Sequence, residues 1–273
     1  MSNYFENKVI WITGASSGIG EALAIAFSKR KAKLVLSARR ENELQRVALS
    51  CKGSEVLVLP LDVTAFDSFT EKTATVLSHF GQIDILIHNA GLSHYGRVSE
   101  TPFSAEKKLF ETNFLSTVAL TKAVLPSMIQ RHAGQVVAIS SALGYLEYPR
   151  RAAYAASKHA IVGYFHTLGL ETINEGIKVT VVCPGFVKTP LGENALNEQG
   201  ERCGVVNVGQ QKGMSADECA DRILRAIAAC KSEVLIGGYE RWAVRLRMIF
   251  PKAYFRLLGY LWNRWQSKLN KMI

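Results

Sequence analysis

The chain has 273 residues, 48% of them hydrophobic and 21% charged, which excludes collagen-like and disordered sequences and predicts one large globular core. Its net charge of +10 is uneven: residues 241–273 hold eight Lys or Arg and no acid, which leaves +2 elsewhere and argues against a nucleic-acid-binding face on the body. The five cysteines, Cys51, Cys183, Cys203, Cys219 and Cys230, lack metal-ligand spacing, and neither an apolar signal region nor eighteen uninterrupted apolar residues occurs, so a cytoplasmic chain that does not span a membrane is expected.

The apolar run Val9–Ile12 predicts a first strand, followed by Thr13-Gly14-Ala15-Ser16-Ser17-Gly18-Ile19-Gly20 and a helical stretch from Glu21 to Lys29. A strand that turns into a helix through three glycines brings bare N–H groups and a helix N-terminus up against an anion, the geometry of a dinucleotide pyrophosphate site. Gly14 permits the turn, Gly18 close approach to phosphate and Gly20 close packing of helix on strand, while Ser16 and Ser17 add hydroxyl donors.

Strands follow at Leu34–Leu36, Val56–Leu59, Ile83–Ile87, Val136–Ile139, Val179–Val182 and Val234–Ile236. They alternate with helices, including one from Ser104 to Arg131, one from Tyr154 to Asn174 and one from Ala216 to Cys230. Short apolar strands alternating with helices predict an α/β fold, a Rossmann-type doubly wound seven-stranded parallel sheet with ligands at the carboxyl ends of its strands. Residues 1–239 are expected to form this dinucleotide-binding catalytic domain, and 240–273 a basic amphipathic helical extension.

The second strand ends in Ser37-Ala38-Arg39-Arg40, where an NAD site usually offers an acid to the adenosine ribose. With Ala38 there and Arg39 beside it, the natural inference is NADP (NADPH), its 2′-phosphate held by a planar cation. Asp62 and Val63 close the third strand, and Asn89-Ala90-Gly91 the fourth. Asp62 can accept from the adenine amino group or cap the next helix, and the Asn89 segment can form a shelf beside the ribose or finish the strand.

Tyr154 and Lys158 lie four apart on one helix and hence on the same face. A phenol with a pKa of about 10 is a poor base at neutral pH, and lowering it to near 7 requires roughly 4 kcal/mol, more than an exposed cation supplies. A buried site or the positive nicotinamide ring is needed. The fifth strand ends in Ser140-Ser141, where a serine can touch the substrate oxygen that Tyr154 also touches. The six histidines show no HExxH or HxxEH spacing, so no metal site is expected; His94 is a candidate for the substrate cleft.

The glycine loop, His88-Asn89-Ala90-Gly91, Asn113, the serine pair, Tyr154-Ala155-Ala156-Ser157-Lys158 and Pro184-Gly185-Phe186-Val187-Lys188-Thr189 stand in the order of the short-chain dehydrogenase/reductases, which the chain resembles over residues 5–239. The resemblance implies Tyr154 as acid/base, Lys158 as the cation that lowers its pKa and binds the nicotinamide ribose, Ser141 as orienter of the substrate oxygen, and Asn113 as holder of a relay water. Pro184, Gly185, Val187 and Thr189 match the nicotinamide-carboxamide segment. Cys183 stands where that family often has asparagine, and Ser17 where some NADP-dependent members carry a basic residue.

The expected reaction is hydride transfer between NADP(H) and a carbonyl or secondary alcohol. Leu143, Tyr145, Leu146, Tyr148, Phe186 and a lid over Leu191–Met214 favour a lipophilic substrate of steroid, retinoid or fatty-acyl type. The alternatives are a 3-oxoacyl group on an acidic carrier protein and, from another class, a non-catalytic dinucleotide-sensing scaffold at a membrane surface. A homo-oligomer formed through the two long helices is implied by resemblance.

Beyond Pro251, Tyr254, Leu258, Leu261, Trp262, Trp265, Leu269 and Met272 recur at helical spacing, with Lys252, Arg256, Arg264, Lys268 and Lys271 on the other side. This pattern predicts a helix lying peripherally on an anionic membrane or, alternatively, packing on the protein body.

Overall fold

The computed structural model describes residues 4–197, 199–202, 204 and 211–269, with side chains described as far as Arg264. Trp265, Lys268 and Leu269 therefore fall outside the described side chains, and Cys203, Lys271 and Met272 outside the described residues.

Seven parallel strands, β1 (Val9–Thr13), β2 (Lys33–Ser37), β3 (Val56–Val58), β4 (Ile85–His88), β5 (Gly134–Ile139), β6 (Ile177–Pro184) and β7 (Glu233–Ile236), form one sheet in the order β3-β2-β1-β4-β5-β6-β7. The strands read as near-continuous apolar runs because both faces are covered. In β1, Ile10 and Ile12 point into one core layer and Val9 and Trp11 into the other, the alternation that the pleat imposes. The first layer lies beneath α1 (Gly18–Ser28), α2 (Glu41–Ser50) and a later helix, Ala216–Ala228; the second lies beneath α3 (Phe69–Phe80) and the long helices of the middle of the chain. Trp11 is fully buried, and its indole N–H donates to the Ser37 hydroxyl at 2.9 Å, so its large apolar area is buried without stranding a donor.

The order of the strands reverses between β1 and β4, and the register places Thr13 opposite Ser37 and Ile12 opposite Ile87. The carboxyl ends of β1, β2 and β4 therefore open together at the switch point.

The middle of the chain departs from one uniform helix. It runs as α4 (Phe103–Phe110), a π-helical turn (Glu111–Leu115) and α5 (Ser116–Gln130), and Asn113 sits inside the turn. A π turn is a local insertion that is costly in a helix and kept where a side chain must be re-aimed. Next come α6 (Ala152–Glu171) and α7 (Ala216–Ala228), the latter started by Ser215, whose hydroxyl accepts from the Glu218 N–H at 3.1 Å. Two helices end the described chain, α8 (Glu240–Ile249) and α9 (Pro251–Leu269), and their inner residues Val244 and Tyr254 share a cluster with Ala142 and Leu146 of the body.

Candidate active site

The glycine loop leaves β1 with Gly14 at φ +66° and Gly18 at φ +59°, conformations that a side chain resists. Space forbids one as well: a Cβ on Gly14 would lie 2.8 Å from the Ala90 backbone, and one on Gly20 only 2.3 Å from the Gly14 carbonyl oxygen. The loop is braced by Asn89, whose amide donates to the Thr13 and Gly14 carbonyls, both at 3.1 Å, while the Thr13 hydroxyl accepts from the N–H groups of Asn89 and Ala90. The Asn89 side chain is thus spent on the loop, and what the Asn89-Ala90-Gly91 segment can offer a ligand is backbone. Ser17 starts α1 in extended conformation without its hydroxyl capping the helix, and Ile19 packs against the core. The first-turn N–H groups of α1 receive no side-chain cap, as an anion site requires.

At the β2 end, Arg39 is exposed, and Ala38 is flanked in sequence by Ser37 and Arg39, neither of them an acid. Arg40, for which the sequence implied no cofactor role, reaches back to the glycine loop with Nη2 3.4 Å from the Ser16 hydroxyl. Arg46, also unread, is fixed to Glu21 at 2.7 Å and Glu43 at 2.9 Å. Burial raises the Asp62 pKa, but hydrogen bonds from Thr64 and the nearby Arg39 charge outweigh it and hold the carboxyl below its ordinary value. One of its oxygens accepts from the Thr64 N–H and hydroxyl at 2.9 and 2.8 Å, a turn-forming role. Val63 is half-buried beside it.

Tyr154, Lys158 and Ser141 converge where β5 ends against α6. Tyr154 is 8% exposed, and burial raises its phenol pKa; a hydrogen bond with Ser141 and the charge of Arg151 work the other way. Lys158 is buried too, and desolvation pushes its ammonium down to about 8. Its Nζ donates to the Ile139 carbonyl at 2.9 Å and lies 5.8 Å from the centre of the Tyr154 ring. The neighbouring Ser140 hydroxyl donates instead to the Lys158 carbonyl at 2.9 Å, which pins α6 to β5 and leaves Ser141 as the serine beside the phenol. Cys183, buried at the end of β6, bonds with Ser140, and burial pushes its thiol up to about 12, so it is inert packing.

Asn113 is fully buried. Its amide accepts from the Leu92 N–H at 2.7 Å and donates to the Leu92 carbonyl and the Ser157 hydroxyl, both at 3.0 Å. The π turn aims it at a segment 21 residues away, and its side chain braces the floor of the site.

Two further loops border the site. Thr189 lies over the glycine loop, 3.1 Å from where a Gly18 Cβ would be, and Val187 is buried and bridged to Met214. Pro184 ends β6. Gly185 has no room for a side chain because Glu240, the first residue of α8, fills the space; its carboxylate accepts from the Phe186 N–H at 3.0 Å and the Gly238 N–H at 2.9 Å. Glu240 carries no sequence signal and falls on the boundary drawn between the body and its extension.

Around Tyr154 stand Leu92, Leu109, Leu143, Ala153 and Leu196, an apolar wall. Tyr145 and Leu146, expected in the cleft, serve as anchors: the Tyr145 hydroxyl bonds to Glu233 of β7, and Leu146 packs with Val244 and Tyr254. His94 is also a brace. It is 2% exposed, its ring lies 3.3 Å from the Thr101 hydroxyl, and its backbone bridges to Leu196, so the described part of the 191–214 segment is stitched to residues 93–95.

Comparison with known proteins agrees with this geometry. The family described as short chain dehydrogenase matches residues 8–200. The chain is 39% identical over 264 residues to a Drosophila melanogaster dehydrogenase/reductase SDR family protein 7-like, covering 94% of this chain and 81% of the relative. It is 40% identical over 264 residues to the Homo sapiens dehydrogenase/reductase SDR family member 7, covering 94% and 74%. Among solved structures, a short-chain dehydrogenase/reductase from Burkholderia phymatum in complex with NAD superposes with a TM-score of 0.81 at 28% identity, covering 89% of this chain and 94% of that one. An alcohol dehydrogenase from Thermococcus sibiricus complexed with 5-hydroxy-NADP gives 0.73 at 29% identity, covering 85% and 97%. With the glycine loop at the switch point and the tyrosine, lysine and serine gathered beside it, the chain belongs to the short-chain dehydrogenase/reductase family and carries the NAD(P)(H)-dependent oxidoreductase architecture of that family.

Proposed function

We propose that the protein is an NADP(H)-dependent oxidoreductase acting on a lipophilic ketone or secondary alcohol. The observation that carries this reading is the buried Tyr154 set beside Ser141 and Lys158 on one side and an apolar wall of Leu92, Leu109, Leu143 and Leu196 on the other. A substrate oxygen at Ser141 meets two hydroxyls, while the rest of the molecule meets hydrocarbon.

The glycine loop, the uncapped start of α1 and the crowded Gly14 and Gly20 fit a dinucleotide pyrophosphate, and Ser16, Arg39 and Arg40 fit a 2′-phosphate. When bound, the cofactor supplies the hydride and, in its oxidised form, a positive ring. The protein's residues handle the proton. In the reductive direction the phenol of Tyr154 donates to the developing alkoxide and Ser141 holds that oxygen in place. Protonated Lys158 favours the phenolate that remains. Burial opposes phenolate formation, so the tyrosine rests protonated, ready to act as the acid. The Asn113 amide is committed to Leu92 and Ser157, so its side chain acts by positioning the segment beside the phenol. By family likeness we also assign a homo-oligomer contact to the long helices α5 and α6.

The test is oxidation of NADPH and of NADH in the presence of a panel of ketones graded from small and polar to steroid-like and fatty-acyl. Turnover confined to NADPH and rising with substrate apolarity supports the reading. Turnover with polar ketones alone overturns the substrate class, and no turnover with any ketone favours a non-catalytic dinucleotide sensor.

A further inference from the structure

Helices α8 and α9 are built inside out relative to the rest of the surface. Along α8, Glu240, Val244 and Arg247 face the body, while Trp242, Arg245 and Ile249 fall on the solvent side. Along α9, Tyr254, Leu258 and Trp262 turn inward at a spacing of four, while Leu257, Leu261 and Arg264 share an outer face. Among the described residues, eight of the sixteen large exposed apolar side chains fall within 242–261; Trp242, Met248, Ile249 and Phe250 are each 60–69% exposed. Single exposed apolar residues need no explanation, whereas a run of this density marks a surface made to be covered.

Two observations identify the cover. The first is charge: residues 241–273 hold eight Lys or Arg and no acid. Arg245 stacks over Trp242 with 4.9 Å from guanidinium to ring, an aromatic and a cation presented together. A second protein surface of the same kind would be repelled by these cations, whereas a bilayer with anionic headgroups satisfies both the charge and the hydrocarbon. The second is orientation. Val244 and Tyr254 pack on Ala142 and Leu146 of one loop, so both outer faces point away from that loop. Among the described residues no helix is long and apolar enough to cross a membrane, which leaves contact in the plane of the interface.

We propose that the outer face of α8 and α9 seats the protein on an anionic lipid surface. The seat is coupled to the site through the loop that follows Ser141. Arg247 clasps the Glu147 carboxylate with three contacts of 2.8 to 3.1 Å, and the Tyr254 hydroxyl donates to the Glu147 carbonyl at 2.9 Å. The loop carrying Leu143 of the apolar wall is thereby held one helix layer beneath the lipid surface, which deepens the lipophilic-substrate reading and rests on it for substrate entry alone.

The experiment is co-sedimentation of the full chain with phosphatidylcholine vesicles with and without phosphatidylglycerol, at low and high salt. The wild type is expected to sediment with the anionic vesicles, more weakly at high salt, and at least ten-fold less with phosphatidylcholine alone. Trp242→Gln, Ile249→Gln, Leu257→Gln and Leu261→Gln combined should reduce binding at least ten-fold while thermal midpoint and NADPH affinity stay unchanged, which separates loss of the surface from loss of the fold. Failure of the wild type to bind anionic vesicles, or equal binding by this variant, overturns the proposal. So does a wild-type dimer in sedimentation velocity that the variant converts to monomer without any vesicle binding, since the cover is then a second copy. None of these readouts uses turnover, so the surface assignment and the enzymatic reading fail independently.

Discussion

Burial sets the Lys158 ammonium to titrate at about 8, within the range in which the protein can be assayed. Its pKa is depressed, so the charge is present below about 8 and lost above it. A cofactor site that uses this cation binds best in the protonated state, and NADPH affinity is expected to fall as pH rises through 8. Isothermal titration across that range checks it, with Lys158→Met weakening binding and removing the pH dependence. At the other end of the cofactor the discriminating feature is an absence of acid: Ala38→Asp combined with Arg39→Leu should reverse the preference from NADPH to NADH, read as the ratio of the two dissociation constants. Equal affinities in the wild type would contradict the 2′-phosphate assignment. The proximity of Tyr154 and Lys158 is legible from their spacing, but the balance of their charges is not. A four-residue spacing announces proximity, whereas the opposing effect of desolvation on both groups comes from the packing of α6 against β5.

At the scale of elements, the strands are readable because the sheet is covered on both faces, so that even the half-buried edge strands β3 and β7 keep short apolar runs. What escaped the sequence is long-range. The π turn carries Asn113, which satisfies both backbone groups of Leu92, and no local pattern announces a partner 21 residues away. Leu143 and Tyr145 lie two apart in a short irregular turn, where no periodicity tells which faces the cleft and which faces Glu233. Glu240 is the clearest omission: it joins the start of α8 to the loop after β6, across the boundary that composition suggested. Removing its carboxylate in Glu240→Ala leaves two N–H groups without their acceptor and should cost about 2 kcal/mol. That corresponds to a fall of roughly 4–8 °C in thermal midpoint for a chain of this size, together with weaker dinucleotide binding. Gly185→Ala should also destabilise, because its Cβ would lie 2.5 Å from that carboxylate. The two changes combined should cost less than their sum, since the clash disappears with the carboxylate; strict additivity would contradict the contact.

For the whole molecule, the buried groups that must stay neutral set the acid limit of the fold. His88 at the end of β4 is 3% exposed, stacks near Phe165 and bonds to Thr121 at 2.7 Å, and burial pushes it down to about 3. Its folded pKa lies below the unfolded value, so the stability tied to it is complete above about 6.5 and drains away as pH falls toward 3. About 2 kcal/mol should be lost between pH 7 and pH 5, and denaturant titrations at both pH values should show a smaller loss in His88→Gln. The same architecture that excludes water from His88 gathers the site at the carboxyl ends of the strands, where the oxidoreductase reading places its chemistry. That reading is tested most directly by comparing wild type and Tyr154→Phe, which keeps the ring and deletes the transferable proton, in NADPH oxidation on whichever ketone the panel identifies. The account predicts that kcat falls at least a thousand-fold, on the order of 4 kcal/mol of transition-state stabilisation, while the NADPH dissociation constant is preserved. A Tyr154→Phe enzyme that turns over near the wild-type rate would contradict it.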